Sequence, residues 1–237
     1  MNVAIITARS KSKSIKNKNM IRINGKNLVE YSIDAALKSK KIQYVFVDSD
    51  GEDILRLASR KKCFIVKRPN YLSGDNVSHS EVIRHSVKMV TKILGDEPNI
   101  ITVLLGNTVT NTPKLLDKSI SILMKNKSYS SVMSVWEAGD DHPLRALKIK
   151  NGYLSSYFNV KSKISTNRQS YSKAYFYDQG PWTFRVENLK TKVGPGPWDW
   201  MGNKSFPIVR NWVTGRDVHG DLDIEISNLM LNKYSEI

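Results

Sequence analysis

Five short apolar runs constrain this chain more than any other feature: Val3–Ile6, Tyr44–Val47, Cys63–Val66, Asn99–Leu105 and Ser131–Trp136. Runs this short, bounded by polar residues, read as strands, and Val3–Ile6 is of the kind buried on both faces. The segments between them carry helical spacing instead. Leu28–Lys38 reads as a helix with Leu28, Tyr31, Ile33, Ala35, Ala36 and Leu37 as its apolar content, and Glu52–Arg60 as a short one with Ile54, Leu55 and Ala58 on one side. Ser78-His79-Ser80-Glu81 is a capping box, and Val82, Ile83, Val87, Val90, Ile93 and Leu94 follow at helical intervals. Thr112-Pro113 supplies a cap and first position for a helix to about Lys125. Strand and helix alternate, which predicts an α/β fold with a doubly wound, mostly parallel sheet.

In such sheets, ligands bind outside the carboxyl ends of the strands. The first strand leads there into a polar loop carrying Arg9, Lys11, Lys13, Lys16 and Lys18, before a turn at Asn24-Gly25. Cations so closely spaced repel one another, so a polyanion such as a triphosphate is the natural partner.

The whole chain is basic, with a formal charge of +15 over 237 residues. That balance alone would suggest nucleic acid or a membrane surface. The lysines, however, are spread in pairs along the chain, as on solvated faces, and no zinc-finger or RNP-type pattern occurs. We therefore expect neither a nucleic-acid nor a membrane partner. Cys63 is the single cysteine and lies in an apolar run, which suits the core and a reducing compartment. The first apolar run is too short for a secretory leader, and none is long enough to span a bilayer. A soluble cytoplasmic protein of one domain, residues 1–237, is expected.

The basic loop, Ala8-Arg9-Ser10-Lys11-Ser12-Lys13-Ser14-Ile15-Lys16-Asn17-Lys18-Asn19, resembles the signature A-R-x-x-S-K-x-x-x-x-K-N of the acylneuraminate cytidylyltransferase family. It departs from that pattern in having no glycine beside Ser-Lys. Arg68-Pro69-x-x-Leu72-x-x-Asp75 matches a second family motif. The resemblance implies a Rossmann-like nucleotidyltransferase that joins CTP to an acidic sugar and releases pyrophosphate. It also implies a nucleotide site of Ala8, Arg9, Ser12, Lys13, Lys18, Asn19, Arg68, Val77, Ser78 and His79. Arg9, Lys13 and Lys18 would serve in catalysis by neutralising the departing pyrophosphate. An arginine suits a pyrimidine edge because its donors are fixed in a plane.

Near the C-terminus stands Gly220-Asp221-Leu222-Asp223. In an extended segment Asp221 and Asp223 would face one spot; the competing reading is a helix's first turn, which acidic residues favour. The resemblance implies that these two carboxylates hold Mg²⁺.

Between these motifs the resemblance weakens. The family's L-Q-P-T-S-P-L-R is replaced by Leu104-Leu105-Gly106-Asn107-Thr108-Val109-Thr110-Asn111. Asp141-His142-Pro143-Leu144-Arg145 keeps a His-Pro pair, and Gln179-Gly180 stands where Asn-Gly is usual. These changes fall on the acceptor side, for which His142, Arg145, Arg168 and Gln179 are the candidates. The resemblance implies that an insertion around 138–176 is an arm that packs on a second subunit in a homodimer; the other reading is a lid or surface loop. Three other functions remain open: the same reaction on a 3-deoxy-octulosonic acid or phosphonate, a sugar-1-phosphate nucleotidyltransferase, and a non-catalytic nucleic-acid-binding module.

Overall fold

The computed structural model describes residues 1–10, 15–159 and 165–233, with the backbone but not the side chain of Arg168. Chain order begins with β1 (Asn2–Thr7), the short antiparallel pair β2 (Arg22–Ile23) and β3 (Lys26–Asn27), and α1 (Leu28–Leu37). It continues through β4 (Tyr44–Ser49), α2 (Glu52–Arg60), β5 (Phe64–Lys67), α3 (His79–Leu94) and β6 (Ile100–Leu105). There follow α4 (Pro113–Lys125), β7 (Ser131–Glu137), β8 (Leu147–Lys150) and β9 (Tyr153–Ser156). The last elements are β10 (Tyr175–Arg185), β11 (Ser205–Arg210) and α5 (Asp221–Lys233).

Among the described residues, seven strands form one sheet in the order β11-β7-β10-β6-β1-β4-β5. The expected mostly parallel, doubly wound sheet is present. Alternation along β1 divides the core: Val3 and Ile5 face α3 with Ile83, Val87 and Val90, while Ala4 and Ile6 face the layer of α1, α2 and α4. Two of the helices show the local chemistry that starts or stops them. Ser78 caps α3, its hydroxyl accepting from the Glu81 N–H, and Gly95 ends that helix in the left-handed region. Thr112 caps α4 in the same manner, with Pro113 at the first position. Cys63 is buried beside α1 and α2.

Two features correct the sequence reading. The simple strand–helix alternation missed β10, which inserts antiparallel to both neighbours between β6 and β7. Its period is broken by a register shift between Tyr177 and Trp182, across Gln179-Gly180-Pro181, so neither half reads as a long strand. The other concerns Asp221 and Asp223. They stand in the first turn of α5 and not in an extended segment, so they do not share a face.

The expected insertion contains a hairpin apart from the main sheet. β8 and β9 pair with each other across Asn151-Gly152, whose φ values of 52° and 81° give the turn that matches strand twist. Leu147, Ile149 and Leu154 are all exposed there. Among the described residues, no helix is long and apolar enough to cross a membrane.

Candidate active site

A cavity of about 520 Å³ opens at the carboxyl ends of the central strands. Thr7 closes β1 there, Leu105 and Asn107 stand at the end of β6, and Arg68 follows β5. The parallel packing of β1 between β4 and β6 brings these three chain segments together. Val77 and His79, at the start of α3, form a second wall. Lys18, Gln179, Asp217 and His219 complete the opposite side.

Of the expected nucleotide residues, Arg9, Lys18, Asn19, Arg68, Val77 and His79 line the cavity. Ala8 is buried behind it, its N–H donating to the Asp48 carbonyl at 3.0 Å. Ser78 is occupied with capping: its N–H and hydroxyl both donate to Glu81 Oε2. Ser12 and Lys13 lie outside the described residues.

Cations and carboxylates share the cavity wall. Arg9 is half open to solvent and bridges Asp75 at 2.8 Å, tying the basic loop to the segment after Arg68. Burial lowers the Lys18 pKa; Asp217 opposes this, Arg9 adds to it, and Asp223 opposes it. His79 sits in a concave wall, where solvent reaches the ring but protein surrounds it on most sides. That burial, then Arg68 and Arg9, lowers its pKa and favours the neutral ring. Asn19 donates to the Arg9 carbonyl at 2.8 Å, while its own Oδ1 is buried with no hydrogen-bond partner among the described residues.

The acceptor candidates separate. Gln179 lines the cavity and is fixed by its backbone N–H to the Gly215 carbonyl at 3.0 Å. Gly180 beside it is required by packing. A Cβ there would fall 2.2 Å from Ser134 Oγ and 2.7 Å from Asp178 Oδ1. His142 and Arg145 are not in the cavity wall. His142 Nδ1 accepts from the Leu144 N–H, and its Nε2 meets the Ser172 carbonyl at 3.0 Å, so the ring joins the two ends of the insertion. Arg145 pairs with Asp140 at 3.2 Å.

The acidic residues also differ from expectation. Asp223 turns back on its own helix start: Oδ1 accepts from Arg216 at 2.9 Å, and Oδ2 accepts from the N–H groups of His219 and Gly220. Burial raises its pKa, but Arg216 and these two N–H groups outweigh that and hold it below the ordinary carboxylate value. Asp221 is exposed. Two carboxylates line the cavity: Asp75, bridged to Arg9, and Asp217, held by Asn107 Nδ2 at 2.6 Å and by His219 Nε2 at 2.9 Å. Among the described residues, no cluster of three or more potential metal ligands converges. A hard cation shared with phosphate needs only one or two protein carboxylates, and Asp217 fits that need. Sequence reasoning missed Asp217 and His219 because it looked for two acids. The signal was the Asp217-Val218-His219 alternation just before Gly220.

The cavity thus gathers Arg9, Lys18 and Arg68 with two carboxylates, Asp75 and Asp217, at the carboxyl ends of the strands. A cytidylyltransferase family model matches residues 3–179, from β1 to the Gln179 bulge. The chain belongs to the cytidylyltransferase family. It is 31% identical over 181 residues to the Helicobacter pylori "Pseudaminic acid cytidylyltransferase and UDP-2,4-diacetamido-2,4,6-trideoxy-beta-L-altropyranose hydrolase", covering 75% of this chain and 33% of that protein. It is 37% identical over 89 residues to an Escherichia coli N-acylneuraminate cytidylyltransferase, covering 38% of this chain and 21% of that protein. The chain thus spans about a third and a fifth of the lengths of these two relatives. The cytidylyltransferase fold is also shared with a solved CMP:2-keto-3-deoxy-manno-octonic acid synthetase complexed with CTP. That likeness has a TM-score of 0.69 over 100% of this chain and 99% of the other, at 14% identity.

Proposed function

We propose that this chain transfers a cytidylyl group from CTP to an acidic sugar of the nonulosonic, sialic-type α-keto acid class, giving a CMP-sugar and pyrophosphate. The observation that carries this reading is the single cavity joining Arg68 and His79 at one wall to Lys18, Asp217 and Gln179 at the other. The first wall suits a pyrimidine and the second a phosphate chain with its acceptor. In the reaction an acceptor hydroxyl oxygen forms a bond to the α-phosphorus. The bond from that phosphorus to the bridging oxygen breaks, pyrophosphate leaves with the electron pair, and the hydroxyl proton passes to solvent.

Lys18 and Arg9 face the charge that accumulates on the departing pyrophosphate, joined in the proposal by Lys13 of the same loop. Asn19, on the cavity wall beside Lys18, helps place the nucleotide. Mg²⁺ would be held by Asp217 together with phosphate oxygens, and when bound it polarises the α-phosphate and acidifies the attacking hydroxyl. Gln179 orients the acceptor. The insertion carrying His142, Arg145 and Arg168 belongs to a homodimer in this reading, its exposed hairpin packing on a second copy and closing that copy's acceptor site. The buried lone thiol suits a reducing cytoplasm.

Pyrophosphate release tests the proposal, with four nucleoside triphosphates against nonulosonic acids, a 3-deoxy-octulosonic acid and sugar 1-phosphates. Release is expected with CTP and a nonulosonic acid only. Release with a sugar 1-phosphate and another triphosphate would overturn the reading.

A further inference from the structure

Asp48 is a fully buried carboxylate near the end of β4, surrounded on its own strand by Phe46 and Val47. An ionised group in such a place is retained only with close partners. Its partners are specific. Oδ1 accepts from Arg68 Nε at 2.5 Å, and the Asp48 backbone carbonyl accepts from Arg68 Nη2 at 3.1 Å. Oδ2 takes the Ser86 hydroxyl at 2.6 Å, from the face of α3. His85 Nδ1 stands 3.7 Å from the same oxygen, beyond hydrogen-bond reach. The Arg68 backbone is fastened as well, its N–H donating to the Ser49 carbonyl at 2.8 Å.

One residue thus occupies one whole edge of the guanidinium with its side chain and main chain together. A guanidinium has five N–H donors. The edge carrying Nε and one Nη2 hydrogen is taken. The two Nη1 hydrogens and the second Nη2 hydrogen have no hydrogen-bond partner among the described residues, and Arg68 lines the cavity. The donors left over cannot swing, because rotation about the side chain would break both bonds to Asp48.

We propose that Asp48, seconded by Ser86, is the positioning residue that makes the site select cytosine over uracil. The inference rests on the function proposed above and deepens it. Cytosine presents two adjacent acceptors, O2 and N3, to a pair of fixed donors. Uracil carries a hydrogen on N3, so the same donors meet a donor. A free arginine side chain would shift to contact O2 and O4 of uracil from another angle. A clamped one leaves the mismatch in place, and unpaired buried donors are what give hydrogen-bonding sites their discrimination.

The test is the ratio of kcat/KM for CTP to that for UTP in the wild type, Asp48→Asn and Ser86→Ala. The amide in Asp48→Asn would still accept from Nε and keep the side-chain volume, but it removes the charge that holds the guanidinium. The ratio is expected to fall by roughly tenfold in Asp48→Asn, the scale of loosening one bidentate base contact. Ser86→Ala should move it the same way by about threefold, as expected for one hydrogen bond of about average worth. A purely structural ion pair predicts equal losses for both nucleotides. An unchanged ratio in Asp48→Asn, or in Ser86→Ala should Asp48→Asn not fold, would overturn the inference alone. A wild type that uses UTP as well as CTP would overturn both the inference and the function on which it rests.

Discussion

Arg210 Nη1 lies 3.3 Å from Asp178 Oδ2, and both side chains are removed from solvent almost completely. Arg210 Nη2 also donates to the Thr110 carbonyl at 2.9 Å. The other oxygen of Asp178 accepts from the Ser134 hydroxyl and from the Gly180 N–H. This pair therefore fastens β11 and β7 to the interruption in β10, directly beside Gln179 and the segment leading to Asp217.

Removing one partner of such a pair leaves the other charge buried and alone. Arg210→Ala should destabilise the fold by about 3–5 kcal/mol. Urea unfolding followed by tryptophan fluorescence measures this, since Trp182 lies in the same strand as Asp178. A loss below about 1 kcal/mol would mean that Asp178 finds other partners or takes a proton.

The acidic residues give a second prediction with an internal control. Asp217→Asn should lower kcat by about 100-fold, as expected for loss of one preorganised electrostatic contact in the transition state. Asp221→Asn, exposed and outside the cavity, should leave kcat within about twofold, in line with ordinary surface substitutions. Asp223→Asn should instead lower stability by about 1 kcal/mol, because its carboxylate closes the first turn of α5. Its lowered pKa fixes the sign. The contribution is present above the ordinary carboxylate value and is lost as pH falls through the folded value. Thermal melts of Asp223→Asn and wild type should therefore converge in acid.

Lys18 yields a proton-linked prediction. In the free protein, burial lowers its pKa, with Arg9 contributing and Asp217 and Asp223 opposing. A triphosphate beside it stabilises the ammonium and raises the pKa. Binding of CTP at alkaline pH should consequently take up protons, and binding near neutrality should take up fewer at this group. Calorimetry in two buffers of different ionisation enthalpy reads the difference directly. Lys18→Arg, which stays charged throughout, should abolish the alkaline uptake.

How far these features could be read from sequence depends on whether their cause is local. The α3 capping box, the Thr112-Pro113 start of α4 and the buried runs of β1, β4 and β6 follow from adjacent residues, and all were legible. So was the gathering of Arg9, Lys18, Asn19 and Arg68 at one cavity, because Arg9 and Arg68 follow strand ends and Lys18 and Asn19 belong to the loop that leaves β1. β10 was not legible, since its two halves are joined across a bulge whose stability comes from Asp178 and Arg210 far apart in the chain. Asp221 and Asp223 misled because an i, i+2 pair carries no mark of strand or helix. The partners that decide it, Arg216 and two backbone N–H groups, belong to the fold.

The hairpin supports the last prediction. Cross-strand partners in an antiparallel pair share a face, and Ile149 is registered with Leu154. Leu147, two residues before Ile149, lies on that same face, whereas Lys148 and Lys150 alternate to the other. One side is thus apolar, with Leu147, Ile149 and Leu154 exposed by 57%, 77% and 70%. Such an unpaired apolar face on a projecting two-stranded ribbon marks an interaction site, because an isolated hairpin is at best marginal in water. In the homodimer proposed above, each hairpin would cover the other copy. Ile149→Asp with Leu154→Asp should shift the protein from dimer to monomer in analytical ultracentrifugation while leaving its far-ultraviolet dichroism unchanged. If the arm also closes the acceptor site, the acceptor KM should rise in that variant and the CTP KM stay within about twofold, since Arg68, Lys18 and Asp217 belong to the same chain as the cavity they line. A wild type that sediments as a monomer would refute the dimer, and a dissociated variant with an unchanged acceptor KM would confine the hairpin to assembly.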